Sequence, residues 1–243
     1  MNLSLKNSWE YYRDIRLHNL SSPKYRHLLL LLYWPFFGVL FWIMESQWPI
    51  IWEMMTGNPL EYYPVYCWID AYIPFCEWFV IPYYFWFVFL VGMGAYGVLF
   101  DIRAMRHFMW YVILSYSITA VIYFVWPNMQ EFRGELDTVT RSNWMIDIVR
   151  NLYSYDTNTN VCPSIHVLGS FAVCFAGLHS ETLKGWGWKV FFIVSTVLIS
   201  MSTVFLNQHS ILDVFAAIGV GAVCYVLVFH VICREKKKTE YLA

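Results

Sequence analysis

Six apolar runs, at residues 28–44, 78–100, 108–126, 165–178, 190–206 and 211–233, are long enough, or nearly so, to cross the hydrocarbon of a bilayer. Lipid offers no partner to an open backbone N–H or C=O, so runs of this length are read as helices. Composition agrees with this reading. Of 243 residues 59% are hydrophobic and only 14% charged, with a mean hydropathy of +0.47, which is outside the range of an ordinary soluble domain. The expected fold is an all-α integral membrane protein with six transmembrane helices, forming a single membrane domain over residues 1–243.

Basic residues set the expected orientation. Lys6, Arg13, Arg16, Lys24 and Arg26 precede the first run, Arg103 and Arg106 separate the second and third, and Lys184 and Lys189 separate the fourth and fifth. Arg234 and the lysines at 236–238 follow the sixth. With six spans all of these fall on one side, which the positive-inside rule makes the cytoplasm. Both termini are then cytoplasmic, residues 1–27 form a cytoplasmic N-terminal segment, and the loop from 127 to 163 is external. The run 234–238 reads as an orientation anchor, and with a net charge of −1 nothing in the chain points to nucleic acid. Three cysteines, Cys67, Cys76 and Cys162, fall on the external side, where a Cys67–Cys76 disulfide and unpaired thiols are both open.

The connecting segments carry further expectations. Residues 45–77 mix prolines with Trp48, Trp52, Tyr62, Tyr63, Tyr66, Trp68 and Tyr72, a composition suited to the water–lipid boundary. In the external loop, Val139, Met145, Ile148, Val149 and Leu152 fall close to a helical stripe, predicting a short interfacial helix over 138–153. Residues 156–160, Asp-Thr-Asn-Thr-Asn, read as a turn leading to Ser164.

Ionisable side chains at membrane depth are costly and are functional candidates by default. Pro163-Ser164-Ile165-His166 opens the fourth run, and His209-Ser210-Ile211-Leu212-Asp213 opens the sixth. A helix beginning at Ser164 presents a hydroxyl and open N–H groups to an anion, with His166 on its first turn placed to donate a proton. One helical turn separates His209 from Asp213, so the carboxylate can accept from one ring nitrogen and leave the other as a nucleophile or base. The six-span plan puts both motifs on the same outer face. For each motif a purely structural role is the alternative: a helix start for the first, a local hydrogen bond for the second.

These two motifs resemble those of the type 2 phosphatidic acid phosphatase superfamily. Pro163-Ser164-Ile165-His166 is similar to its Pro-Ser-Gly-His motif. Residues 202–213, beginning Ser202-Thr203 and ending His209-Ser-Ile-Leu-Asp213, are similar to its Ser-Arg-x-x-x-x-x-His-x-x-x-Asp motif. The resemblance covers a catalytic core at 110–233 and implies a phosphohistidine mechanism. In that scheme His209 attacks phosphorus, Asp213 orients and stabilises its imidazolium, and His166 protonates the leaving oxygen. Ser164 and the backbone N–H of Ile165 would hold phosphate oxygens, and the scheme requires no metal or other cofactor.

The chain also departs from the family pattern. The lysine-containing first motif is absent, Thr203 stands where the last motif has arginine, and Ile165 replaces glycine. Arg133 is the expected phosphate-binding cation, with Arg141 and Arg150 as alternatives. The expected activity is that of a membrane lipid phosphatase or phosphoesterase at the outer face of the cell membrane, with a phospholipid or other lipid phosphate as substrate. A lipid phosphotransferase that moves a phospho-headgroup to an alcohol is the alternative, and it resembles sphingomyelin and inositol phosphorylceramide synthases. A different class of reading is a non-enzymatic carrier, or a haem protein with His27, His107, His179 and His230 as candidate axial ligands.

Overall fold

The computed structural model describes residues 5–134, 136 and 139–233. Among them five helices are long and apolar enough to cross a membrane: Arg26–Thr56, Glu77–Leu99, Ile102–Val125, Trp186–Phe205 and Ile211–Ile232. A shorter apolar helix lies at Ile165–Leu178. The chain is a mostly helical, multi-pass membrane protein. Among the described residues its α-helices include α1 (Leu5–Tyr12), α2 (Tyr33–Trp42), α3 (Trp48–Thr56), α4 (Val80–Leu99), α5 (Ile102–Val125), α6 (Trp144–Tyr155), α7 (Ile165–Leu178), α8 (Trp186–Phe205) and α9 (Ile211–Val226).

The first apolar run does not stop at residue 44. A 3-10 turn, α2, a π turn at Ile43–Gln47 and α3 follow one another without a break to Thr56. Glu45, Ser46 and Gln47 interrupt the apolar pattern, but the helix continues because the Glu45 carboxylate is satisfied from outside it. It accepts from the hydroxyls of Thr157 and Thr159, both at 2.6 Å, and from the Asn160 amide. The expected boundary segment at 45–77 is therefore helical in its first part.

Helix α7 has 14 residues and would extend only about 21 Å, against a hydrocarbon core about 30 Å thick. It is the centre of the bundle, packed on α4, α5, α8 and α9. Small residues allow that approach. A Cβ on Gly169 would meet the Tyr116 hydroxyl and the Trp86 indole nitrogen, and one on Gly177 would meet the Phe192 ring. With both flanks covered by protein, α7 makes little use of lipid contact.

Local side-chain bonds set the helix starts. Asp101 caps α5, its Oδ1 accepting from the N–H groups of Arg103 and Ala104, both at 3.1 Å. Its Oδ2 takes the Ser180 hydroxyl at 2.7 Å, tying the α4–α5 turn to the end of α7. Asn143 caps α6 through the N–H of Ile146 (3.1 Å), so the interfacial helix expected over 138–153 begins at Trp144. Its buried stripe is Met145, Ile146, Val149 and Leu152, packed with Val80, Tyr83 and Leu206. Thr138 and the basic run 234–238 lie outside the described residues.

Two ends of the bundle are thereby defined. Tyr123 at the end of α5 donates to Pro163 O (2.7 Å), Tyr153 of α6 donates to Leu206 O (2.6 Å), and Cys76 N–H donates to Phe205 O (2.9 Å). A short parallel pair, β1 (Tyr63–Pro64) and β2 (Asn128–Met129), closes over this end. At the opposite end Tyr12 donates to Val98 O (3.0 Å), and the 24–26 segment meets the start of α5.

Candidate active site

Both motifs meet at the end closed by β1 and β2. Ser210 caps α9, its hydroxyl accepting from Leu212 N–H (3.1 Å), while Asp213 Oδ2 reaches back to Ser210 N–H (3.1 Å). That capping box points Asp213 at His209, whose Nδ1 lies 3.0 Å from Asp213 Oδ2 and 2.9 Å from Val161 O. Both neighbours are acceptors, so the ring proton resides on Nδ1 and Nε2 carries a lone pair. Nε2 faces the Ser164 hydroxyl at 3.3 Å.

Burial raises the stakes of this pairing. Asp213 is fully buried and its Oδ1 has no hydrogen-bond partner, while His209 is 6% exposed. A buried carboxylate is costly unless it is hydrogen-bonded, and Asp213 Oδ2 meets that need through His209 Nδ1 and Ser210 N–H. The Cys162 thiol stands nearby. Its pKa is pushed well up, first by burial and then by the negative charge of Asp213, so it stays protonated.

Ser164 is the N-cap residue of α7, but its hydroxyl turns to His209 and makes no bond to its own helix. Its N–H donates to Asp213 O at 3.3 Å. The next amides, of Ile165 and His166, belong to the first turn, where an α-helix leaves its donors open. Ile165 is helical, and its carbonyl accepts from the Tyr116 hydroxyl at 3.2 Å. His166 sits between two rings, 4.6 Å from Tyr83 and 4.4 Å from Trp86, with its ring centroid 5.7 Å from that of His209. Its Nδ1 is buried without a partner.

The three expected cations are placed differently. Arg133 has its guanidinium ends on backbone carbonyls, Asp156 O and Tyr153 O from one nitrogen and Thr157 O (2.7 Å) from the other, which also donates to Gln208 Oε1. It lies over the Tyr153 ring at 4.7 Å, and burial pushes its pKa below the ordinary arginine value. Arg133 therefore ties the 153–157 segment to the residue before His209. Arg141 is committed to Glu77, its Nε 2.9 Å from Oε1 and its outer nitrogen 2.6 Å from Oε2. Arg150 stands on the surface, 3.5 Å from Asp147. Thr203, at the arginine position of the family motif, donates its hydroxyl to Ser200 O (2.8 Å).

Three residues that the sequence reading passed over hold the site in place. Asn128, fully buried, accepts from the N–H groups of Val161 (2.9 Å) and Cys162 (2.8 Å), so it fixes the carbonyl that receives His209 Nδ1. Asp70 accepts from the Ser210 hydroxyl (2.6 Å) and Ile211 N–H (2.8 Å), and Glu45 holds the 157–160 turn. The only signal of this kind in the sequence is an acidic or amide residue inside an otherwise apolar-aromatic stretch. The four histidines considered as axial ligands are at the opposite end of their helices. There the rings of His107 and His179 are 6.3 Å apart with Phe229 packed on both.

The model of the PAP2 superfamily matches residues 138–237, from just before α6 to beyond α9, a stretch that contains both motifs. No curated protein and no solved structure matches the chain.

Proposed function

From the PAP2-superfamily region that this chain carries at residues 138–237, we propose that the protein is a membrane lipid phosphatase or phosphoesterase working through a phosphohistidine at His209. The observation that carries the reading is the commitment of His209 Nδ1 to Asp213 and Val161 O, which leaves Nε2 as a lone pair beside the Ser164 hydroxyl. Nε2 attacks phosphorus in line, the P–O bond to the lipid alcohol breaks, and His166 gives its proton to the departing oxygen. The imidazolium formed at His209 is stabilised by the buried Asp213. Water, giving a proton back to His166, then breaks the P–N bond and releases phosphate. Ser164 and the first-turn amides of α7 hold the equatorial oxygens, an electrostatic contribution of the kind that dominates phosphoryl transfer.

In this reading α7 counts as a sixth, shortened span. Both termini are cytoplasmic, and the His209 end faces outward from the cell membrane, in keeping with Lys24, Arg26, Arg103 and Arg106 at the other end. The acyl chains of the substrate stay among the helices while the headgroup reaches the site.

One observation favours transfer to an alcohol as a second reading. Arg141 is spent on Glu77, Thr203 offers no charge, and Arg133 is filled largely by carbonyls. A phosphodiester, with a single negative charge, needs fewer cations than a phosphomonoester dianion. Both readings share the first half-reaction. Purified protein given labelled phosphatidic acid, and separately a phosphodiester lipid with an acceptor alcohol, distinguishes them: phosphate release supports the hydrolase and a labelled new lipid supports the transferase. No turnover with either overturns both.

A further inference from the structure

At the end of the bundle opposite His209 lies a cavity of about 640 Å³ between the N-terminal segment, the start of α5 and the end of the last helix. Four cations line it: Lys24 from the segment that follows α1, Arg26 from the start of the helix Arg26–Thr56, and Arg103 and Arg106 from the first turns of α5. These converge on one space. Lys24 rests over the rings of Tyr11 and Tyr25, 4.8 Å from each, which orients its ammonium.

Acidic side chains neutralise this cluster only in part. Arg103 pairs with Glu181 at 3.5 Å, and Asp101 is occupied with capping α5 and with Ser180. Arg26 and Arg106 are exposed, and among the described residues neither has an acidic group within ion-pair distance. The cavity is also lined by His107, which is 4% exposed and leaves Nδ1 without a hydrogen-bond partner. Two guanidinium groups without acidic partners line this cavity with His107, and a ligand rich in acceptor oxygens would satisfy them, with the Nδ1–H tautomer of His107 adding a further donor.

We propose that this cavity binds a phosphate group, carried by the headgroup of an anionic lipid or as the free anion, at a site separate from His209. The chemistry favours phosphate because two arginines and a lysine supply forked and point donors together. Leu30, Ile102, Trp110 and Ile232 add an apolar wall, which suits the glycerol and first methylenes of a lipid whose headgroup meets the cations. The inference does not depend on which reaction His209 performs.

The full chain, purified in neutral detergent, tests it by thermal unfolding with three additions: short-chain phosphatidylglycerol, inorganic phosphate and short-chain phosphatidylcholine. Phosphatidylglycerol is expected to raise the midpoint by about 2–4 °C or more, less so at high salt, with phosphatidylcholine inactive. R26Q/R106Q is expected to lose most of that shift, R26K/R106K to keep part of it, and H209A to keep it all. If inorganic phosphate alone gives the same variant-sensitive shift, the site is one for the free anion. The proposal is overturned by no anion-dependent shift, by an equal shift in R26Q/R106Q, or by loss of the shift in H209A. Should R26Q/R106Q not fold, the single variants R26Q and R106Q are each expected to lose part of the shift, and a full shift in both overturns the proposal.

Discussion

Asp70 holds Ile211: a carboxylate from the loop after the first helix accepts the Ile211 N–H at 2.8 Å and the Ser210 hydroxyl at 2.6 Å, less than one turn before Asp213. The helix that carries the His209–Asp213 pair is thus capped from 140 residues away as well as by its own Ser210. Asp70→Ala is expected to lower stability by about 1 kcal/mol, the usual scale for a lost cap. Turnover should fall with it, while Asp70→Asn, which keeps one acceptor, should recover part of both. Unfolding midpoints and initial rates on the same preparations check this, and an unchanged midpoint for Asp70→Ala would rule out the capping role.

His209→Ala and His166→Ala are each expected to reduce turnover by about a hundredfold or more, with the fold retained, as for loss of a nucleophile or a general acid. Asp213→Asn should fall less far, because Val161 O still accepts from Nδ1 and keeps the ring oriented. Wild-type rates in both histidine variants would eliminate the phosphohistidine scheme.

Glu45 is the acceptor for three side chains of the turn that leads into Ser164. Glu45→Gln exchanges one acceptor oxygen for a donor and is expected to cost about 1.5–3 kcal/mol, the range for bonds to a charged group. Faster proteolysis between α6 and α7, measured on folded protein, would register the loosened turn; an unchanged cleavage rate would count against it.

Gly177 packs against the Phe192 ring of α8 with no room for a β-carbon. Gly177→Val is expected to destabilise by about 1–3 kcal/mol through overpacking. Truncating the ring at the same time, in Gly177→Val with Phe192→Ala, should return part of the loss; strict additivity in this double-mutant cycle would contradict the contact.

Cys162 is 5% exposed, and its thiol is pushed up by burial and by Asp213. The group binds its proton more tightly in the folded state, so raising the pH from 7 to 8.5 is not expected to make it reactive. Maleimide labelling at both pH values, mapped by mass spectrometry, should modify Cys162 only after denaturation. Rapid native labelling at pH 7 would show that the pocket is open.

Where the sequence was legible, a local rule was at work. Helix α7 begins and ends at residues 165 and 178, as its apolar run does, because Pro163-Ser164 starts it and His179-Ser180 stops it. The His209–Asp213 bond follows from four-residue spacing on a helix start. The apolar run 28–44 understates its helix because Glu45 breaks the pattern, and only Thr157, Thr159 and Asn160, more than a hundred residues later, explain why the helix runs on to Thr56. Asp70 and Asn128 were unreadable for the same reason: their partners lie 141 and 33 residues away. Loop position alone makes Arg133 the expected phosphate-binding cation, but the carbonyls that occupy it exist only once the 153–157 segment has folded.

The brevity of α7 has a consequence for biogenesis. A segment of 14 residues leaves about 9 Å of hydrocarbon uncrossed on its own, and its leading turn carries a serine and a histidine. Insertion by partition into lipid, one hairpin at a time, does not suit such a segment. Its walls, α4 and α5, are synthesised before it, and α8 and α9 after. The pocket around His166 and His209 is therefore complete only once α9 is present, because a ribosome-bound chain ending before α9 has no Asp213.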